Sequence, residues 1–147
     1  MMREYLETLG RVSRRFLSTH LPELGDDWWQ KGVVGALSYQ QRRIVQERGW
    51  TTLEDLDLSA LLRLVDQNWE YLRPRANLSY ESRNWLKEAM GVRNRDAHRA
   101  PDESHDAKRH HRDLDTVARL AGSLRAALAS AQRSLRQAAR RATLNVL

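Results

Sequence analysis

Residues 113–142 read DLDTVARLAGSLRAALASAQRSLRQAARRA, and their apolar positions decide the fold class. Leu114, Val117, Ala121, Leu124, Leu128, Ala131, Leu135 and Ala138 recur at alternating spacings of three and four, which puts them on one face of a helix. A helix over this stretch would be about 45 Å long. An apolar seam of this kind joins nearly parallel or antiparallel helices in a bundle. Its first half is expected in the bundle core. Its second half, with Arg125, Arg133, Arg136, Arg140 and Arg141, is expected to reach a partner subunit, RNA or a further domain.

The chain before this seam supplies helices for it to pack on. Met2, Leu6, Leu9, Val12 and Phe16 form a helical stripe with Arg on the other side, and Leu21-Pro22 end it. Asp26 or Asp27 can cap a second helix carrying Trp29, Val33, Leu37 and Ile44, with Arg48-Gly49 as its stop. Gly32 and Gly35 would let a neighbouring helix approach its middle closely. Residues 50–58 read as a connector, with Thr51-x-x-Glu54 able to cap one short turn. Ser59 opens a third helix, with Leu62, Val65, Trp69 and Leu72 on one face, closed by Arg73-Pro74. Ser79 opens a fourth, which turns Trp85, Leu86, Ala89 and Met90 inward. No run alternates with period two, so no sheet is predicted. The fold class is all-α, a bundle of four to five helices with a long C-terminal helix. Trp29, Trp69 and Trp85 lie on apolar stripes and are expected in the core, while Trp28 and Trp50 sit at helix edges and remain open to base stacking.

Composition narrows the classes of function. The chain has 147 residues, which suits one domain with a single core. With 0 Cys it has no disulfide or thiolate chemistry, in keeping with a reducing cytoplasm. No apolar run approaches the roughly 18 residues of a membrane span, and Met1-Met2-Arg3-Glu4 lacks a signal-peptide core. A soluble cytoplasmic domain is expected. Net charge is +6 and uneven: residues 1–92 hold 13 basic and 13 acidic side chains, residues 93–147 hold 12 and 6. From Thr116 onward there are six Arg and no acid. That asymmetry suits a polyanionic partner, nucleic acid first, and on charge alone it suits a solvated basic helix face about as well.

Between the fourth helix and the last lies Arg93-Asn94-Arg95-Asp96-Ala97-His98, stopped by Ala100-Pro101. Asn94 and His98 are four apart and share a helix face. Arg grips phosphate, Asn orients by hydrogen bonds, and His titrates nearest neutral pH. Together they form a phosphoryl-transfer set. Arg93 and Arg95 both lie near His98 in sequence, and the pattern leaves open which of them touches phosphate. The alternative is a cluster of basic residues favoured at a helix C-terminus by the macrodipole. Residues 99–113 read as a polar loop with His105, His110 and His111. His105, Asp106 and His110 can be drawn as metal ligands, but no Cys or HExxH pattern supports them. No metal or cofactor is expected.

Arg-Asn-x-x-x-His resembles the signature of the HEPN superfamily (higher eukaryote and prokaryote nucleotide-binding), small helical domains many of which are ribonucleases. Arg15…His20 and Arg99…His105 also meet the loose Arg-to-His spacing, but both lack the Asn. Val92-Arg93-Asn94-Arg95 with Ala97-His98, and Asn68-Trp69 upstream, are similar to the Swt-type branch of that superfamily. Asp96 departs from it, since a large apolar residue is expected there. The resemblance implies one HEPN-like domain over 1–147, with its core at about 1–130 and 131–147 as the end of the last helix and a candidate linker to a further domain. It implies a metal-independent endoribonuclease in which the ribose 2′-hydroxyl attacks the adjacent phosphate. Arg93, Asn94 and His98 would be catalytic. On charge, Arg95 and Arg99 beside the motif and Arg133, Arg136, Arg140 and Arg141 on the last helix are the candidate RNA contacts. The site would be composite, at a homodimer interface, and the setting defence, toxin–antitoxin or RNA surveillance, with an antitoxin or a downstream domain as further partners. A non-catalytic HEPN-like module that binds RNA or dimerises is the second reading, and a DNA-binding helical protein the third.

Overall fold

A computed structural model of the chain describes residues 1–98 and 107–146. Helix α1 (Met2–His20) buries Met2, Leu9, Val12, Phe16 and Leu17 along its inner face. Pro22 lies in the 3₁₀ turn Leu21–Leu24 that follows, and Gly25, at φ 127°, takes the chain out of it in a conformation that suits glycine.

The expected second helix is three pieces. Trp29–Val33 is a π turn, Val34–Ala36 a 3₁₀ turn, and α2 spans only Tyr39–Arg48. Ser38 and Gln41 set the new start as a reciprocal capping box. The Gln41 N–H donates to Ser38 Oγ at 3.2 Å and the Ser38 N–H to Gln41 Oε1 at 3.1 Å. Carbonyls freed by the breaks are met from elsewhere in the chain. Asn68 Nδ2 donates to Gly32 O at 2.9 Å, Arg42 Nε to Val34 O at 3.1 Å, and Arg63 Nε to Ala36 O at 2.8 Å. Ile44, expected on the apolar stripe, is consequently turned outward and 44% exposed. Gly32 is a site of close approach, because a Cβ there would lie 2.9 Å from Leu24 Cδ1.

The expected third helix is also divided. Asp57 rather than Ser59 caps α3 (Leu58–Gln67), its carboxylate accepting the Ala60 N–H at 2.9 Å. The chain bends at Asn68 and resumes as α4 (Trp69–Ala76). Pro74 lies inside α4 and does not close it. The helix ends at Asn77, whose left-handed φ of 53° lets the Leu78 N–H reach Arg73 O at 3.0 Å. Helix α5 (Glu81–Ala97) carries Leu86, Ala89 and Val92 into the core. Helix α6 (Ala107–Val146) has 40 residues, a length of about 60 Å. It begins well before Asp113, so His110 and His111 are helical rather than in a loop, while His105 and Asp106 lie outside the described residues.

Helices α1, α3, α5 and α6 close a ring of contacts, α1 on α3, α3 on α5, α5 on α6 and α6 on α1. Cross-links show that α5 runs antiparallel to α6: Ser82 Oγ meets Ser123 Oγ at 3.0 Å, Thr116 Oγ1 donates to Glu88 at 2.9 Å, and Arg95 reaches Asp113 at 3.0 Å. It is antiparallel to α3 as well, with Lys87 on the buried Asp66 at 2.8 Å and Arg93 near Asp57 at 3.8 Å. Phe16, Leu61, Leu64, Leu72, Leu86, Leu120 and Leu124 are fully buried between them.

On α6 the buried face is wider than the strict seam, since Leu120 and Ala127 join Val117, Ala121 and Leu124. Leu128 and Ala131 are half-buried, and 132–145 are exposed throughout, with Leu135 at 68%. Trp69 is core, while Trp28, Trp29, Trp50 and Trp85 are partly buried against it. No strand occurs among the described residues, and no helix among them is long and apolar enough to cross a membrane.

Candidate functional site

The hexapeptide forms the last turn of α5, anchored by the buried Val92 just before it. Arg93, 28% exposed in its side chain, extends toward the start of α3 and stands 3.8 Å from Asp57 Oδ2. Arg95 goes the other way, its Nη2 donating to Asp113 Oδ1 of α6 at 3.0 Å. The two Arg side chains therefore diverge to either side of the helix. Asn94 and His98 occupy the outward face between them, both exposed. His98 ends the helix, with φ −104° and ψ 8° and its N–H donating to Asn94 O at 3.2 Å. The backbone thus stacks His98 one turn beyond Asn94, as spacing alone predicts. Within one chain, Arg93 is turned toward α3 and not folded back over His98.

Beside Arg93 opens a groove of about 600 Å³ between α1, the start of α3 and the end of α5. Arg3, Arg11 and Arg14 of α1 line it with Arg93, and so do Glu7, Asp57 and Asp96. Arg14 is fixed in place, donating to Leu53 O at 3.3 Å and Leu56 O at 3.2 Å. Arg11 makes only an exposed bond to Thr8 Oγ1 at 3.3 Å among the described residues. The sequence reading left out Asp57 and the α1 arginines. The available signals were an Asp immediately before an apolar run, typical of an N-cap, and the Arg side of the α1 stripe.

On the α6 side, Glu88 accepts from Thr116 at 2.9 Å and from Arg112 at 3.1 Å. The Thr116 hydrogen bond, followed by that from Arg112, holds its carboxyl below the usual range. This link and Arg95–Asp113 brace the end of α5 against α6.

Residues 4–125 match the family model described as Swt1-like HEPN. The chain belongs to the Swt1-like HEPN family. No curated protein and no solved structure matches it. The match takes in the whole motif and ends inside α6, close to where that helix leaves the bundle.

Beyond the match, this HEPN domain presents Arg133, Arg136, Arg140 and Arg141 on exposed helix. Arg133 borders a second open groove, about 560 Å³, with Trp85, Arg119 and Ser123. Arg119 also lies over the Trp85 ring, 6.0 Å from its centroid. The basic end of α6 is therefore accessible, and no acidic residue shares it. Arg99, the other expected RNA contact, lies outside the described residues. Among the described residues no group of three or more His, Cys, Asp or Glu side chains is arranged to hold a metal ion.

Proposed function

We propose that this HEPN domain is an endoribonuclease that needs no metal or cofactor. Its site is Arg93, Asn94 and His98. His98 takes the proton of a ribose 2′-hydroxyl, whose oxygen attacks the adjacent phosphorus while the bond to the 5′-oxygen breaks. The products are a 2′,3′-cyclic phosphate and a 5′-hydroxyl end. Arg93 stabilises charge developing on the phosphate oxygens, and Asn94 orients the phosphate or the imidazole. The observation that carries this reading is the exposed Asn94–His98 pair on one outward helix face, flanked by Arg93 and Arg95, in a chain of the HEPN family.

A base and an acid are both required, and one set contains one His. Two chains paired about a two-fold axis would supply both. The outward, open setting of Asn94 and His98 supports such a pairing. The biological setting proposed is defence, toxin–antitoxin or RNA surveillance. Purified protein incubated with mixed RNAs, with and without EDTA, followed by end-group analysis, tests the chemistry. Sedimentation across a concentration series tests the homodimer. The second reading, a non-catalytic RNA-binding or dimerisation module, is favoured by the acids beside the motif: Asp57 faces Arg93, and Asp96 lines the same groove.

A further inference from the structure

We propose that the groove between α1 and the end of α5 binds one unpaired RNA nucleotide next to the phosphate held at Arg93, and that Asp96 selects its base, guanine first. This deepens the ribonuclease reading and rests on it.

The groove has the size and lining for such a ligand. Its volume of about 600 Å³ falls within the roughly 300–1,000 Å³ of small-molecule sites. Leu6, Leu58 and Ala97 give it an apolar surface for a base, and Arg11 and Arg93 supply cations for the flanking phosphates. Gly10 sits in the middle of α1, where glycine is less stable than alanine. A Cβ placed there would meet no heavy atom of a neighbouring element within 4 Å. Packing therefore does not require glycine at this position. Its lack of a side chain keeps the groove open.

The acids in the groove are not equivalent. Glu7 is paired with Arg3 at 3.2 Å. Asp57 accepts the Ala60 N–H at 2.9 Å and faces Arg93. Asp96 is exposed and has no ion pair or side-chain hydrogen bond among the described residues. An ionised carboxylate only accepts hydrogen bonds. Guanine offers it adjacent N1–H and N2–H donors for a bidentate pair. Adenine and cytosine offer one amino group, and uracil a single N–H between two carbonyls. Asp96, with its carboxylate unpaired among the described residues, is thus read as a specificity element.

The test is cleavage-site mapping on an unstructured RNA of mixed sequence with the full chain. Wild type, Asp96→Ala, Gly10→Ala, Gly10→Leu and His98→Ala are compared, with melting and sedimentation of each. Wild-type cuts are expected to share guanine at one fixed position relative to the cut. Asp96→Ala should reduce the guanine-over-uracil preference there by about ten-fold or more, the scale of a good bidentate base contact. Gly10→Leu should slow cleavage at least as much while still melting cooperatively, and Gly10→Ala, whose Cβ meets nothing within 4 Å, should hold or raise the melting temperature. Unchanged cut sites in Asp96→Ala and Gly10→Leu would overturn the proposal. So would faster cleavage by Asp96→Ala with the preference intact, since Asp96 would then only repel the RNA backbone. Loss of activity in Gly10→Leu through dissociation of a dimer would make the groove a protein interface instead. Cleavage that depends on His98 but ignores Asp96 and Gly10 overturns this proposal alone, whereas a wild-type chain that neither cuts nor binds RNA overturns the ribonuclease reading with it.

Discussion

Replacing Asn68 with Ala tests how the broken helices hold together. Asn68 Nδ2 donates to Gly32 O at 2.9 Å and to Leu64 O at 2.8 Å, joining the bend between α3 and α4 to the π turn. Leu64 O keeps the Asn68 backbone N–H at 3.1 Å, so its share of the loss is small. The bond to Gly32 O has no such replacement in view, and an acceptor stripped of its partner inside the protein costs about 1–3 kcal/mol. For a chain of this size that corresponds to a melting temperature lower by roughly 3–10 °C. Asn68→Asp should be worse, because it sets a carboxylate against two carbonyl oxygens. Urea and thermal unfolding followed by circular dichroism would measure both. An Asn68→Ala protein within about 0.5 kcal/mol of wild type, the range of ordinary surface substitutions, would refute this role.

Other outcomes follow from burial and charge. Leu120→Ala should cost about 2–5 kcal/mol, as deletion of a fully buried leucine does, while the exposed Leu135→Ala should stay within about 0.5 kcal/mol; equal losses in thermal unfolding would show that α6 packs along its whole length. His20 is 5% exposed and packs 4.8 Å from Phe16; burial lowers its pKa, with the charge of Glu23 opposing in part. Its folded state thus favours the neutral ring, so the stabilisation is complete above the unfolded pKa of about 6.5 and is lost as pH falls from there through the lowered native value. A melting temperature that drops between pH 6.5 and 5.5 in wild type but less in His20→Leu is expected; equal slopes would count against it. Changing Arg133, Arg136, Arg140 and Arg141 to Gln should weaken RNA binding and flatten its salt dependence by up to about 0.7 per lost contact to single-stranded RNA. An unchanged slope in filter binding would mean that these side chains meet only solvent.

Periodicity made the bundle legible, because α1, α5 and α6 each carry an uninterrupted apolar face that local spacing can reveal. Residues 29–48 and 58–76 were harder, since their breaks are satisfied by side chains remote in sequence. Arg63 reaches back to Ala36 O, and Asn68 to Gly32 O. A local signal for α2 did exist in Ser38-x-x-Gln41, but a continuous apolar stripe hid it. On α6, Leu120 and Ala127 were missed because a strict three-four seam is narrower than the face a four-helix core covers. The Asn94–His98 face could be read from spacing alone. The directions of Arg93 and Arg95 could not, because they depend on Asp57 and Asp113, acids on two other helices.

The ribonuclease reading is tested most directly by His98→Ala, assayed on mixed RNA beside wild type with EDTA present. His98 is exposed and ends its helix, so its loss should change stability by no more than about 0.5 kcal/mol. Removal of a general acid–base group should slow cleavage by about 10²- to 10⁴-fold. A folded variant that no longer yields cyclic-phosphate and 5′-hydroxyl ends is the predicted result. Cleavage at the wild-type rate without His98, or wild-type cleavage that EDTA abolishes, would contradict it.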